Sequence, residues 1–268
     1  MKYLGFRPKL VLFDLCSTII DTMESDQEAL KWLLGEYNVE GPLDLDAIKT
    51  PGKTLHNSVS DLAPGDEHTF RANYLIALTF NTGTVAFPFP GAGRTISLVK
   101  ATGAKVGYIS NRHEIYEGSV QMRYPLLHAA FDVRQHAVPG KRAFGEHVIE
   151  KPDPRILDIA LSKLGGKFKA GDPNILFVGD AKSDIEFAEN CGITPVLFHS
   201  ETANIPPKFI AERPDLHIVK NHTELQELLL SEYSGMKKAF IQAATRLEPN
   251  IAISGADFRR NPLRIFQR

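Results

Sequence analysis

Four short apolar runs, each bounded by turn-forming or polar residues, constrain the fold of this chain more than any other feature. They cover residues 9–15 (KLVLFDL), 104–110 (AKVGYIS), 174–179 (NILFVG) and 194–199 (TPVLFH). Runs of this length that are rich in Val, Ile and Phe are typical of strands buried on both faces of a parallel sheet. The stretches 156–164 and 184–191 place apolar residues at helical spacing between or after these runs. The alternation predicts a doubly wound, Rossmann-like α/β core, in which ligands bind at the carboxyl ends of the strands.

One segment interrupts the alternation. Residues 22–87 contain no buried-strand run; they contain helical stretches separated by Gly-Pro and Pro-Gly pairs, and Pro88 and Pro90 follow. We therefore expect an α/β core formed by residues 1–21 and 88–231, with an α-helical cap, residues 22–87, inserted after the first strand. From about Leu225 we expect one more helix, and we assign residues 232–268 to a C-terminal extension of unknown role with a basic end (Arg259, Arg260, Arg264 and Arg268).

Composition excludes several classes of protein. The 268 residues carry 31 Lys+Arg against 32 Asp+Glu, a formal net charge of −1, so the chain lacks the broad basic surface of a nucleic-acid binder. The two cysteines, Cys16 and Cys191, are too few for a disulfide scaffold or a Cys-rich zinc site. No apolar run approaches the roughly 18–20 residues of a membrane helix, and Lys9 and Asp14 break the only stretch that could form a signal peptide. We expect a cytoplasmic protein with no membrane partner.

Polar residues follow the predicted strands at the edge where a doubly wound fold binds its ligand. They are Asp14, Cys16, Ser17 and Thr18 after the first run, Ser110 and Asn111 at the second, and Asp180, Lys182 and Asp184 after the third, with Lys151 in a separate Glu-Lys-Pro-Asp-Pro loop. Mg²⁺ prefers hard oxygen ligands and usually takes one or two protein carboxylates. A lysine offers a point charge to a phosphate, whose oxygens also accept hydrogen bonds from Ser and Asn. These residues predict a magnesium site beside a phosphoryl group.

Four segments in this order resemble the motifs of the haloacid dehalogenase (HAD) superfamily over roughly residues 8–230. VLFDLCSTIIDT resembles the first motif, YISN the second, EKPDP the third and ILFVGDAKSDIEFAENCGI the fourth. The helical insertion after the first strand is similar to that of the phosphoglycolate-phosphatase-like subgroup. The resemblance implies a Mg²⁺-dependent hydrolase, which we expect to be a phosphatase acting on a small phosphorylated metabolite.

Carried over residue by residue, the resemblance implies a role for each matched position. Asp14 is the nucleophile that forms an aspartyl-phosphate. Ser110 and Asn111 hold the phosphoryl group, Lys151 balances charge on nucleophile and phosphate, and Thr18 orients the first-motif loop. Asp14, the backbone carbonyl of Cys16 and Asp180 bind the metal, with Asp184 as a further ligand or a residue behind the ligands. Asp184 could equally cap the helix that follows.

Cys16 is the one marked departure from that pattern. Phosphatases of the superfamily have Asp at this position, where it protonates the leaving alcohol and activates water. A thiol has a reference pKa of about 8.5 against about 4 for a carboxylate, and losing a general acid–base costs on the order of 10²–10⁴ in rate. Cys16 is either a catalytic thiol or a small buried hydrophobic residue. The enzyme is then slow or needs a good leaving group.

Three alternative functions follow from that departure. The chain could be a catalytically impaired HAD-like binding or regulatory protein. Haloacid dehalogenases also lack the second Asp, but they carry an aromatic residue there. Phosphonoacetaldehyde hydrolase carries a small apolar residue and uses a cap lysine as a Schiff base, for which Lys49 and Lys53 are candidates here. Lys53, His56 and Asn57 are candidates for contacts with the leaving group, and His113 lies close to the second motif.

Overall fold

The computed structural model describes residues 3–36, 73, 77, 86–112, 114–138, 149–201, 203, 205–233 and 235–247. The strands in this part of the chain are β1 (Leu10–Phe13), β2 (Ile20–Asp21), β3 (Phe87–Pro88), β4 (Lys105–Ser110), β5 (Val133–His136), β6 (Ile175–Gly179), β7 (Thr194–Phe198) and β8 (His217–Val219). The helices are α1 (Met23–Glu36), α2 (Ala92–Ala101), α3 (Ile115–Arg123), α4 (Pro125–Ala129), α5 (Arg155–Ser162), α6 (Lys182–Asn190), α7 (Pro207–Ala211), α8 (His222–Leu230) and α9 (Lys237–Leu247). None of these helices is long and apolar enough to cross a membrane.

A six-stranded parallel sheet in the order β5-β4-β1-β6-β7-β8 forms the core of the molecule. The four predicted apolar runs became β1, β4, β6 and β7, so the predicted doubly wound α/β class is confirmed. β1 lies at the centre and pairs Leu10 with Lys105 of β4 and Ile175 of β6. The carboxyl ends of β1, β4 and β6 therefore meet at one edge of the sheet, which is where the predicted site residues follow them.

Side chains of β1 alternate between two separate hydrophobic layers. Val11 and Phe13 belong to the layer that includes residues of α2, α8 and α9, whereas Leu10 and Leu12 belong to the layer that includes residues of α5 and α6. All four are at most 1% exposed. Successive strand residues point to opposite faces, so a strand covered by helices on both faces must be apolar throughout. That requirement explains the continuous apolar runs in the sequence.

A short antiparallel ribbon joins the two ends of the segment predicted as an insertion. β2 pairs Ile20 with Pro88 and Asp21 with Phe87 of β3, and α1 follows β2 directly. Apart from Asn73 and Ala77, both helical, residues 37–85 lie outside the described residues. The predicted leaving-group and Schiff-base candidates Lys49, Lys53, His56 and Asn57 therefore lie outside them as well, as does His113.

In the described part of the chain two helices follow β8, whereas the sequence predicts one. Both α8 and α9 pack against α2. Ala244 of α9 is fully buried, and Phe240 and Ile241 pack on the same hydrophobic layer. The core packing thus continues past residue 231, where the predicted core ends, because α2 covers the apolar face of α9. The basic end of the chain, residues 248–268, lies outside the described residues.

Candidate active site

Asp14 stands at the carboxyl end of the central strand. Its backbone N–H donates to the Val178 carbonyl at 2.7 Å, which extends the pairing of β1 with β6 by one residue. The chain then turns back at once: the Ile19 N–H donates to the Leu15 carbonyl at 3.1 Å, and Ser17 adopts the left-handed region at φ 58°. The turn places Asp14, 8% exposed, at the edge of the sheet.

Lys151 connects two of the predicted carboxylates. Its Nζ donates to Asp14 Oδ1 and to Asp184 Oδ1, both at 2.6 Å, and the residue is only 4% exposed. Burial disfavours the charged ammonium, but the two carboxylates outweigh this effect and hold the pKa of Lys151 above its usual range. Burial raises the pKa of Asp14 to about 6, although the Lys151 charge opposes the rise. The ammonium is therefore held charged between the two acids.

Asn111 fixes the loop that carries Lys151. Its side-chain amide donates to the Lys151 carbonyl at 2.9 Å, and its side-chain oxygen accepts from the Lys151 N–H at 2.8 Å. The Lys151–Pro152 peptide bond is cis. Asn111 was predicted to hold the phosphoryl group; in the structure its side chain binds the backbone of Lys151. Ser110, the last residue of β4, is buried, and its hydroxyl accepts from the Arg112 N–H at 3.2 Å.

Three carboxylates converge beside Lys151. One oxygen from each of Asp14, Asp180 and Asp184 lies within 4.8 Å of the others, the spacing of a candidate cation site. Burial and the neighbouring carboxylates of Asp14 and Asp184 raise the pKa of Asp180 well above its ordinary value. Three carboxylates and one ammonium sum to a formal charge of −2 when all are ionised, which a divalent cation would neutralise. The hard oxygen donors fit Mg²⁺.

The three carboxylates differ in how many of their oxygens already accept hydrogen bonds from protein groups. Asp184 accepts from Lys151 on one oxygen and from the Ala181 N–H on the other, at 2.9 Å, at the start of α6. Gly179 makes this approach possible, because a Cβ there would lie 2.4 Å from the Asp184 carboxyl carbon. Asp180 accepts from the Thr18 hydroxyl at 3.1 Å. Asp14 and Asp180 are thus better placed than Asp184 to bind a cation directly.

Cys16 is half-buried and packs against the hydrophobic layer that contains Val11 and Phe13. Burial raises the pKa of its thiol to about 12; Arg112 opposes this rise, and the carboxylates of Asp14 and Asp26 add to it. At neutral pH the thiol is therefore protonated and cannot take a proton from water as a carboxylate would.

Two groups beside the site were missed in the sequence. Arg112 Nη2 donates to both oxygens of Asp26 at 2.6 Å, which ties the end of β4 to α1, and its guanidinium lies 4.7 Å from the ring centre of Tyr116. Its position next to Asn111 was the available signal. His222, the first residue of α8, contacts the Thr18 carbonyl from 204 residues away. No local pattern marks it.

The chain is similar in sequence to several known proteins. The sequence profile of a family described as haloacid dehalogenase-like hydrolase matches residues 11–198. The chain is 26% identical over 269 residues to a phosphoglycolate phosphatase of Pseudomonas putida, covering 94% of this chain and 90% of that protein. It is also 26% identical over 224 residues to a phosphoglycolate phosphatase of Aquifex aeolicus, covering 80% and 98%.

Solved structures share the fold at low identity. A predicted phosphoglycolate phosphatase from Haemophilus somnus superposes with a TM-score of 0.63 at 18% identity, covering 83% of this chain and 98% of that one. A protein assigned as a HAD-hydrolase, YfnB from Bacillus subtilis bound to magnesium, superposes with a TM-score of 0.61 at 19% identity, covering 84% and 99%.

Proposed function

The chain belongs to the haloacid dehalogenase-like hydrolases, and we propose that it is a Mg²⁺-dependent phosphatase that acts on a small phosphorylated metabolite through an aspartyl-phosphate on Asp14. The observation that carries this proposal is the Lys151 ammonium held at 2.6 Å from both Asp14 and Asp184, beside Asp180. The phosphatase names of the two sequence relatives support the choice of reaction. We also propose that the protein is cytoplasmic.

In the first step an oxygen of the Asp14 carboxylate attacks phosphorus, and the bond from phosphorus to the ester oxygen breaks. Lys151 keeps Asp14 oriented by its hydrogen bond, and its charge offsets the negative charge that gathers on the phosphoryl oxygens. Asp14, Asp180 and the Cys16 carbonyl would hold Mg²⁺, and Mg²⁺ when bound neutralises phosphoryl charge. Ser110 donates to the phosphoryl oxygens. Asn111 acts on them through Lys151, whose loop it fixes.

In the second step water attacks phosphorus, which releases inorganic phosphate and restores the Asp14 carboxylate. The leaving oxygen of the first step needs a proton, and the water of the second step must lose one. Cys16 offers no carboxylate for either transfer. We therefore propose that the substrate has a leaving group that departs without much help, such as an aryl or acyl phosphate, or that turnover is slow.

We also propose that residues 22–87 form a helical cap over the α/β core, which continues through α9. The β2–β3 ribbon, which brings the two ends of this segment together, supports the arrangement. Closure of such a cap would exclude water and place groups around the leaving alcohol.

A second function is favoured by one observation: Cys16 places a partly buried thiol, packed on the hydrophobic layer, where an acid–base group is expected. A site that keeps its charged residues but lacks an acid–base group could bind a phosphorylated ligand without turning it over. The chain would then be a binding or regulatory protein.

The test is Mg²⁺-dependent hydrolysis of an aryl phosphate and of a panel of metabolite phosphates that includes phosphoglycolate. Wild type is compared with Asp14→Asn, Cys16→Asp and the exposed-acid control Asp158→Asn. We expect turnover by wild type and the control and none by Asp14→Asn. Cys16→Asp should accelerate alkyl phosphates more than aryl phosphates, up to about 10²–10⁴-fold.

Two other results would redirect the assignment. Activity that appears only with Cys16→Asp would show that the rest of the site is intact but that the wild type does not catalyse the reaction. That result would favour the second function, a binding or regulatory protein. Silence of every variant, Cys16→Asp included, would contradict the phosphatase proposal, and haloacids and phosphonates would be assayed next, for the dehalogenase and phosphonatase alternatives.

A further inference from the structure

His222 links the last third of the chain to the nucleophile loop, which is the turn of residues 15–19 that follows Asp14. It is 1% exposed, and its two ring nitrogens contact different elements: Nε2 lies 2.9 Å from the Thr18 carbonyl oxygen, and Nδ1 lies 3.0 Å from the Thr95 hydroxyl of α2. No part of the proposed mechanism uses this imidazole. A buried polar side chain with both nitrogens engaged calls for an explanation.

The direction of each hydrogen bond follows from the partners. A carbonyl oxygen only accepts, so Nε2 must carry the proton and donate to Thr18. In a neutral ring Nδ1 then accepts, and the Thr95 hydroxyl that faces it shares its one proton between Nδ1 and the Gly91 carbonyl, 3.1 Å away. Burial lowers the pKa of His222 to about 4, which keeps the ring neutral at physiological pH. The tautomer is thus determined by the backbone of the nucleophile loop.

The imidazole is held rigidly by its surroundings. The rings of Phe89 and Phe198 lie with their centres 6.4 Å and 5.0 Å from its own. Its helix is capped by Asn221, whose side chain accepts from the Glu224 N–H at 3.0 Å, and the helix packs against α2. His222 therefore presents a donor from a fixed scaffold.

Thr18 connects His222 to the candidate cation site through two hydrogen bonds. Its carbonyl is held by His222, while its hydroxyl donates to Asp180 Oδ1 at 3.1 Å. We propose that His222 is a positioning residue of the site: it holds the Thr18 backbone so that the Thr18 hydroxyl orients Asp180 for a divalent cation. The inference rests on the proposed function, since it concerns the same carboxylates.

The expected effect is on cation affinity. Groups that orient metal ligands from behind typically change affinity or activity by about 10–100-fold when removed. His222 acts through Thr18, one residue further from the cation, so we expect an effect at the lower end of that range. The dissociation constant for Mg²⁺ should become about tenfold larger. At Mg²⁺ concentrations that saturate the weakened site, KM for the phosphate ester should differ little from the wild-type value.

Two substitutions separate the donor from the rest of the side chain. His222→Gln places its amide nitrogen near the position of Nε2 and can still donate to Thr18. His222→Asn is shorter and keeps only a partner for Thr95. His128→Asn is the matched control, because His128 is also buried and binds Glu117, which is not one of the three clustered carboxylates, through Nε2 at 2.6 Å.

The experiment is calorimetric titration of the full-length chain with Mg²⁺ in the absence of substrate, with circular dichroism to check folding. We expect weaker binding for His222→Asn, near-normal binding for His222→Gln and unchanged binding for the control. In a Thr18→Val background, His222→Asn should add little, because the hydroxyl through which it acts is gone. A purely structural role would lower the melting temperature of both His222 variants and leave the Mg²⁺ dissociation constant unchanged, which would overturn the inference.

A measurement on wild type keeps the inference testable if a variant does not fold. Long-range ¹H–¹⁵N spectra of the imidazole should show a neutral ring protonated at Nε2, and a ring protonated at Nδ1 would refute the proposed contact. Failure of the proposed function would look different. In that case wild type itself would bind no Mg²⁺, or Asp180→Asn would bind it as well as wild type does.

Discussion

Removal of the Lys151 ammonium should destabilise the protein far more than removal of a surface lysine that lies almost equally close to its carboxylate. In Lys151→Met the carboxylates of Asp14 and Asp184 lose their shared cation, and the Lys151 side chain is only 2% exposed. Breaking a buried ion pair from one side costs about 3–5 kcal/mol, because the other charge stays buried without a partner. We expect a loss of unfolding free energy in that range at pH 8.

Lys105 provides the matched control. It contacts Asp132 at 2.7 Å, but its side chain is 48% exposed. Exposed ion pairs contribute about 0–1 kcal/mol, so Lys105→Met should cost no more than that.

The assay is urea unfolding, monitored by circular dichroism, of both variants with and without Mg²⁺. A cation that binds only the folded chain at a hundred times its dissociation constant adds about 2.7 kcal/mol. Mg²⁺ should therefore restore part of the stability of Lys151→Met and leave the Lys105→Met difference from wild type unchanged. Equal losses for the two variants would refute the reasoning from burial.

Three further predictions concern residues around the site. Between pH 7 and pH 5, His222 alone should lower the unfolding free energy by about 2 kcal/mol. Its imidazole has a pKa near 6.5 in the unfolded chain and about 4 when buried, so over this range only the unfolded chain binds the proton. In His222→Gln the urea midpoint should therefore change less between these two pH values. Gly179→Ala should cost about 1–3 kcal/mol, because its Cβ meets Asp184, whereas Gly118→Ala, with open space around it, should gain about 0.5–1 kcal/mol in thermal unfolding. Asp26→Ala removes the carboxylate that accepts from the partly buried Arg112 guanidinium and should cost about 1.5–3 kcal/mol in the same assay.

Local sequence predicted the interior of the sheet but not its edges. The strands β1, β4, β6 and β7 are apolar enough to stand out because helices cover both of their faces. β5 (VRQH) and β8 (HIV) lie at the edges of the sheet, where each pairs with one strand among the residues that the structure describes. Both strands are short and carry polar residues, so neither forms an apolar run that could be distinguished from a loop in the sequence.

The sequence by itself predicted which residues would come together to carry the proposed chemistry. Asp14, Lys151, Asp180 and Asp184 follow strands or occupy a distinctive loop, and parallel strands bring their carboxyl ends to one edge. That argument needs only the order of short local patterns, because the topology of a doubly wound sheet does the rest.

Only the tertiary structure decided which of these residues bind one another. Lys151 reaches across 137 residues to Asp14, Asn111 holds the Lys151 backbone rather than facing outward, and His222 supports Thr18 from 204 residues away. A hydrogen bond forms only when donor and acceptor lie within about 3 Å in a suitable direction. Such distances depend on how every strand and helix packs, and no local spacing in the sequence specifies them.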